Sequence, residues 1–218
     1  MPVDRATRLG LLAGVVGPAL FVASFLVQGA VRPGYDPLRH PGSSLVLGSP
    51  AGRVQVVSFV VTGGLVTAYA GALARCRAGR WTPILLTAVG IGLVGAGIFP
   101  TDPVNGYPPG SPDPAPRTAA GQLHDLFSTP VFTALPAAAL VLGARFARTG
   151  KRGWARYSRL TAALFWICFG LSSAGFGGVP ALVSTGGLWQ RLSLVTGLGW
   201  LAGTALRCWR RTQPGGSR

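Results

Sequence analysis

The chain has 218 residues, of which 49% are apolar and only 11% are charged, whereas soluble domains average about 25% charged residues. So few charged side chains cannot cover a water-facing surface, which excludes an ordinary soluble domain and favours an exterior solvated by lipid. The net charge of +15 is typical of nucleic-acid binders, but here the arginines separate apolar runs and form no basic stripe, so we predict no nucleic-acid partner.

Six apolar runs are each long enough to cross a hydrocarbon core roughly 30 Å thick, which takes about 20 residues. The sequence therefore predicts an all-α polytopic integral membrane protein, a bundle of six transmembrane helices that forms one membrane domain over residues 1–218. The predicted spans are, in chain order, 9–31, 54–74, 81–101, 123–144, 160–179 and 188–206.

The first span resembles a secretory signal because Arg5 and Arg8 precede it. Its apolar run exceeds the roughly 7–15 residues of a signal peptide core and no clear cleavage site follows, so we predict a retained helix. The fifth span ends within residues 175–180 (GFGGVP), since glycine and proline terminate helices. The sixth span is the weakest, because Arg191 lies near its start.

Residues 102–122, between the third and fourth spans, differ in composition from the rest of the chain. The stretch 103–116 (PVNGYPPGSPDPAP) contains six prolines. Proline lacks a backbone N–H and is excluded from helix interiors and central strands, so the stretch predicts an extended extracytoplasmic loop. Two states of this loop stay open: a mobile segment, or a lid folded over the helices.

Basic residues are distributed unequally between the two sides of the predicted bundle. If both termini are cytoplasmic, fifteen of the twenty Arg and Lys side chains lie in cytoplasmic segments. This asymmetry predicts a multi-pass protein of the bacterial plasma (inner) membrane with both termini in the cytoplasm, in contact with membrane lipids. The five basic residues left on the external side are Arg32, Arg39, Arg53, Arg117 and Arg191.

Two pairs of glycines have the spacing that permits close helix contact, Gly10 with Gly14 and Gly199 with Gly203. We interpret both pairs as contacts within the chain. A homo-oligomer or another membrane protein as partner stays an open alternative.

Nearly all the acid–base chemistry of the chain falls in the external segments, which hold four of the five acids and both histidines. Ionisable groups near membrane depth usually face a protein interior or a water-filled cavity, so we expect one outward-facing polar pocket. Its candidate ligand-binding residues are Asp36, His40, Arg53, Asp102, His124, Asp125 and Arg191.

Three interpretations of this cluster are open. In the structural one, Asp102 pairs with an arginine or caps a helix end, and His124 bonds a loop carbonyl. In the second, Arg53 and Arg191 hold the anionic headgroup or carboxylate of a ligand that Asp102 and His124 orient. In the third, the cluster is catalytic. We favour the non-enzymatic readings: handling of a lipid or small amphiphile at the outer leaflet, or support of another membrane component.

The catalytic alternative is a membrane-embedded hydrolase, either metal- or serine-dependent. A zinc site would use Asp102, His124, Asp125 and His40, but the chain has no H-E-x-x-H motif, and adjacent helical side chains diverge by about 100°. A serine enzyme would use Ser43 or Ser44 as nucleophile with His124 as base, but the chain has no G-x-S-x-G motif. We therefore predict no cofactor, with zinc kept as the alternative.

Three places in the sequence carry a family resemblance: residues 40–45 (HPGSSL), residues 95–103 (GAGIFPTDP), and His124 at the start of the fourth span. Through them the chain resembles the bacterial membrane family catalogued as domain of unknown function 998, over about residues 9–206. The resemblance implies a six-helix integral membrane protein and no established activity. The residues that match the family pattern, and therefore rank first as site candidates, are Ser43, Asp102 and His124.

Overall fold

The computed structural model describes residues 4–76 and 79–213, and within these ranges the regular structure is helical apart from one isolated β-bridge. The all-α class and the six helices are confirmed. Arg77 and Arg218, two of the fifteen basic residues assigned to the cytoplasmic side, lie outside the described residues. The helices are Arg5–Val31 (α1), Gly52–Arg75 (α2), Trp81–Ile98 (α3), Ala119–Arg148 (α4), Arg152–Phe176 (α5) and Gly186–Arg210 (α6), with a 3-10 helix at Gly42–Val46.

The six helices form a closed ring. Each helix packs against its neighbours in the chain, and α6 packs against α1. Consecutive helices run in opposite directions, so the connections alternate between the two ends of the ring. We call the end that carries residues 32–51, 99–118 and 177–185 the loop end, and the opposite end the basic end.

Two helices end before the predicted spans do. α3 stops at Ile98 because Pro100 disfavours the helical conformation at Phe99, which is extended (φ −97°, ψ 118°). α5 stops at Phe176, and Gly178 beyond it has φ +86°, the left-handed conformation that follows many helix ends. The proline-rich connection also ends earlier than predicted, because Thr118 caps α4 and residues 119–122 are helical.

Within residues 4–76 and 79–213, five helices, α1 to α5, are long and apolar enough to cross a membrane. α6 has 25 residues but does not reach the same apolar composition. The outer surface of the ring is rich in large apolar side chains, such as Leu126 and Ile167, which are 63% and 61% exposed. These features fit a multi-pass membrane protein.

Small residues set the closest helix contacts. A Cβ atom at Gly10 would lie 2.8 Å from the Cβ of Ala72, and one at Gly14 would lie 2.5 Å from the Tyr69 ring, so the prediction for this pair is confirmed. The second pair differs between its two members, since a Cβ atom at Gly203 would lie 4.0 Å from Trp154 and from Tyr157, which is ordinary contact within the chain, whereas the prediction for Gly199 is wrong. A Cβ atom at Gly199 would meet nothing within 4 Å among the described residues, because this face of α6 points out of the ring.

Candidate functional site

The loop end of the ring encloses a cavity of about 620 Å³, a size typical of small-molecule sites. Every helix of the ring contributes to its wall. Most of the wall is apolar, and six phenylalanines line it: Phe21, Phe25, Phe59, Phe132, Phe169 and Phe176. Polar side chains lie at intervals around it, among them Ser43, Gln55, Asn105, His124 and Gln190.

The proline-rich connection packs over the loop end as a cover. Tyr107 is buried, and its ring centroid lies 5.1 Å from that of Tyr35 and 5.2 Å from that of His40. Asn105, at φ +53°, donates from Nδ2 to the Arg39 carbonyl over 3.4 Å. Of the two states left open by the sequence, the structure shows the folded one. Part of this connection also lines the cavity, at Asp113, Pro114, Ala115 and Arg117.

His124 lines the cavity and also joins two helices. Its ring is buried, and Nδ1 lies 2.9 Å from the carbonyl oxygens of both Ala96 and Phe99, at the end of α3. Carbonyl oxygens only accept hydrogen bonds, so Nδ1 carries the proton and donates. In the neutral ring Nε2 is then an acceptor. The position of His124 agrees with the structural interpretation, since the side chain fixes the start of α4 to the end of α3.

Asp102 lines the cavity and stabilises the start of α4. The backbone N–H and the hydroxyl of Thr118 donate to its carboxylate over 3.0 and 2.6 Å. The Thr118 hydroxyl in turn accepts from the Gly121 N–H over 3.0 Å, as a helix N-cap does. A carboxylate beside a helix N-terminus is favourable because it faces the positive end of the helix dipole. Asp102 thus has the capping role of the structural interpretation.

Asp125 and Ser43 also line the cavity. Asp125 is exposed and forms an ion pair with Arg117 at 2.9 Å, where both side chains are largely in contact with solvent. An exposed pair of this kind contributes little to stability. Ser43 lies in the 3-10 helix, and no hydrogen bond joins it to His124 or Asp102 among the described residues.

Four other candidate residues do not line the cavity: Asp36, His40, Arg53 and Arg191. The Asp36 carboxylate accepts from the Leu38 N–H over 2.8 Å and shapes a turn. His40 is buried, and its Nδ1 accepts from the Asp36 N–H over 2.9 Å. Burial lowers the pKa of His40 below its ordinary value of 6.5, so the ring is neutral at neutral pH. Arg53 is exposed at the start of α2, where its side chain makes no hydrogen bond to the described residues.

Arg191 is a buried cation that ties α6 to the connection between α1 and α2. Its NH1 donates to the carbonyls of Pro37, His40 and Gly187, and its NH2 donates to the Tyr35 hydroxyl. All four acceptors are neutral, and Arg191 forms no ion pair among the described residues. The side chain does not line the cavity, so its visible role is to hold the loop end together.

A chain of buried polar groups, missed by the sequence analysis, reaches the cavity between α1 and α2. Arg32 NH2 donates to Gln28 Oε1 over 3.1 Å, and Gln28 Nε2 donates to Gln55 Oε1 over 2.7 Å. Gln55 is fully buried and lines the cavity. Its Nε2 has no partner among the described residues. The signal in the sequence was one glutamine near the end of the first predicted span and another near the start of the second.

Among the described residues, no hydrogen bond joins the side chains of the hydrolase alternative to one another. Within the described ranges, no group of three or more His, Cys, Asp or Glu side chains is placed to hold a metal ion. The hydrogen bonds of His124 and Asp102 go to backbone carbonyls and to Thr118, not to each other.

Comparison with known proteins identifies the family of the chain. No curated protein and no solved structure matches the chain. The family described as "Protein of unknown function (DUF998)" matches residues 15–207, a range that reaches into all six helices and includes Ser43, Asp102 and His124. The chain therefore belongs to the DUF998 family, which confirms the resemblance seen in its sequence.

Proposed function

We propose that this protein crosses a bacterial plasma membrane six times, with both termini in the cytoplasm, and binds a lipid or small amphiphile in the cavity at its outer end. The observation that carries the proposal is the cavity itself. It combines a wall of phenylalanines with a few polar groups, as sites for molecules with an apolar body and a polar end do.

We propose that the cavity opens beside α4, which would admit an amphiphile from the membrane. Two cavity-lining residues on α4, Asp125 and Thr129, are exposed. Thr129 lies ten residues after Ala119, the first residue of α4, which is about 15 Å along the helix at 1.5 Å per residue. We expect an opening near Thr129 to lie beside acyl chains, where a water-soluble ligand would be scarce, whereas Asp125 and its partner Arg117 lie nearer the solvent.

The charge distribution supports the orientation. The loop end holds five arginines and four aspartates, whereas the only acid at the basic end is Asp4. α6 completes the six crossings, since its 25 residues span about 37 Å and it closes the ring between α5 and α1. The basic residues described at the basic end are Arg5, Arg8, Arg75, Arg80, Arg145, Arg148, Lys151, Arg152, Arg156, Arg159, Arg207, Arg210 and Arg211.

Cysteine labelling tests the orientation. Cys76 is exposed at the basic end, and Ala51 is exposed at the loop end. With the other cysteines replaced by alanine, a chain that keeps only Cys76 is expected to react with a membrane-impermeant maleimide only after the cells are lysed. A cysteine-free chain carrying Ala51→Cys is expected to react in intact cells. Labelling of Cys76 in intact cells would show that the orientation is reversed.

Native mass spectrometry tests the binding site. We expect the full chain, extracted from vesicles of phosphatidylethanolamine and phosphatidylglycerol, to retain one lipid per protomer. Ser128→Trp places an indole in the cavity and is expected to abolish retention, because Ser128 lines the wall. Leu126→Trp, two residues away on the outer surface, is the matched control and is expected to retain the lipid. Equal retention by all three proteins would place the lipid outside the cavity and contradict the proposal.

A further inference from the structure

We infer that the cavity recognises an oxyanion, a phosphate or carboxylate, at the polar end of its amphiphile, and that the amide N–H of Gln55 donates a hydrogen bond to this oxyanion. This inference rests on the proposed function and adds the chemical class of the ligand. It follows from the direction of the hydrogen bonds that reach the cavity, from burial, and from the charge around them.

The buried chain from Arg32 has a fixed direction. A guanidinium only donates, so Gln28 must present its oxygen to Arg32 and its NH2 group to Gln55. Gln55 must then present its oxygen to Gln28, and that oxygen also accepts from the Ser24 hydroxyl over 3.2 Å. The amide orientation of Gln55 is therefore set by its neighbours, and the group left without a partner at the end of this chain is its N–H donor.

This terminal donor lacks an acceptor in the part of the chain that the structure describes. Gln55 is 0% exposed, lines the cavity, and its Nε2 has no partner among the described residues. A buried donor without an acceptor is unfavourable, and a ligand oxygen at this point would remove that penalty. An acceptor that carries negative charge would gain most, because hydrogen bonds to charged groups are the stronger ones.

A second amide in the wall is oriented in the same way. Gln190 uses its Oε1 to accept from the Gly42 N–H over 2.8 Å. Since a backbone N–H can only donate, this contact fixes the oxygen and leaves the NH2 group of Gln190 as a donor. Among the described residues that NH2 group has no acceptor, and Gln190 lines the cavity.

The charge around these amides favours an anion. Arg32 and Arg191 are 8% and 7% exposed and form no ion pair among the described residues. Buried cations without a carboxylate leave a positive potential that an anionic ligand would offset. Of the three carboxylates that line the cavity, Asp113 pairs with Arg39 at 3.8 Å and Asp125 pairs with Arg117 at 2.9 Å. Asp102 is bonded to Thr118, which is a neutral partner and offsets no charge.

A series of probes with the same tail tests the inference. Hexadecyl phosphate, palmitate, hexadecanol and hexadecyltrimethylammonium share a sixteen-carbon chain and differ in their polar end. We would titrate each into the full chain in dodecyl maltoside micelles by calorimetry at pH 8, with inorganic phosphate as the headgroup alone. We expect both anions to bind roughly tenfold or more tightly than hexadecanol, the cation to bind most weakly, and inorganic phosphate to bind weakly or not at all.

Two variants of Gln55 distinguish the role of its N–H donor from the role of its oxygen, which accepts hydrogen bonds from Gln28 and Ser24. Gln55→Glu keeps an acceptor for Gln28 and Ser24 but loses the N–H donor, whereas Gln55→Met removes both functions. Each is expected to reduce the preference for the anions over hexadecanol to less than about threefold. Gln122→Met is the matched control, because Gln122 is exposed and does not line the cavity, and it should keep the preference.

Each adverse result has a separate meaning. If the four sixteen-carbon probes bind equally well, the headgroup inference is overturned while the cavity remains an amphiphile site. If none of them binds, the proposed function itself fails. If inorganic phosphate alone binds as tightly as hexadecyl phosphate, the site takes a free anion and the tail has no role. If both Gln55 variants keep the preference for the anions over hexadecanol, Gln55 does not bind the headgroup.

Discussion

Replacement of Arg191 by methionine is expected to destabilise the protein by about 3 kcal/mol, which corresponds to a fall of about 6–12 °C in melting temperature. Methionine has a similar length but donates no hydrogen bonds, so three carbonyls and the Tyr35 hydroxyl lose a charged donor inside the protein. Thermal unfolding of the purified protein in detergent measures the effect.

Arg53→Met is the matched control for Arg191→Met. Both arginines lie near the loop end, but Arg53 is exposed and its side chain makes no hydrogen bond to the described residues. We expect Arg53→Met to change stability by less than about 0.5 kcal/mol, as surface substitutions usually do. If the two variants melted at the same temperature, the buried contacts of Arg191 would not hold the loop end together.

Gly63→Ala is expected to destabilise the protein by about 3 kcal/mol because it separates α2 from α3. A Cβ atom at Gly63 would lie 2.5 Å from the Gly90 carbonyl oxygen and 3.0 Å from the Val94 backbone nitrogen. These are backbone atoms, so the clash is relieved only by moving one helix away from the other. Thermal unfolding in detergent again measures the loss.

The neighbouring residue provides the control for Gly63→Ala. A Cβ atom at Gly64 would meet nothing within 4 Å, so Gly64→Ala should leave the melting temperature unchanged or slightly raised. The two variants add the same methyl group to adjacent positions of one helix. Similar losses in both would mean that helix flexibility, and not the contact with Gly90, explains the effect.

The helices could be predicted because each apolar run marks the part of a helix that faces lipid or the core. The run does not mark where the helix ends. α5 begins at Arg152, eight residues before the predicted span, since arginine is a good helix former and interrupts only the hydropathy pattern. The sixth span gave a weak hydropathy signal for the same reason, since Arg191 is an arginine inside a helix. Its side chain is buried against the rest of the protein.

The candidate site could be predicted only in part. Asp102 and His124 were found because ionisable side chains are rare in this sequence, and both line the cavity. Arg53 and Arg191 could not be told apart, since the rotation of each helix about its axis decides which one is buried. Gln55 was missed because its importance depends on α1 lying beside α2 with Gln28 at the same depth, which spacing along the chain does not reveal.

The contact between the first helix and the last has a consequence for biosynthesis. A ring closed by α1 and α6 stays open along one side until the ribosome has delivered the whole chain to the membrane. α6 also supplies Gln190 and Leu194 to the cavity wall, so no nascent intermediate holds a finished site. Under the proposed topology, we expect the earlier helices to lie in the bilayer with one flank of α1 and one flank of α5 still covered by lipid. Closure of the ring brings Arg8 within 3.1 Å of the Thr212 carbonyl, to which it donates, and we expect this to be the last step in forming the ring.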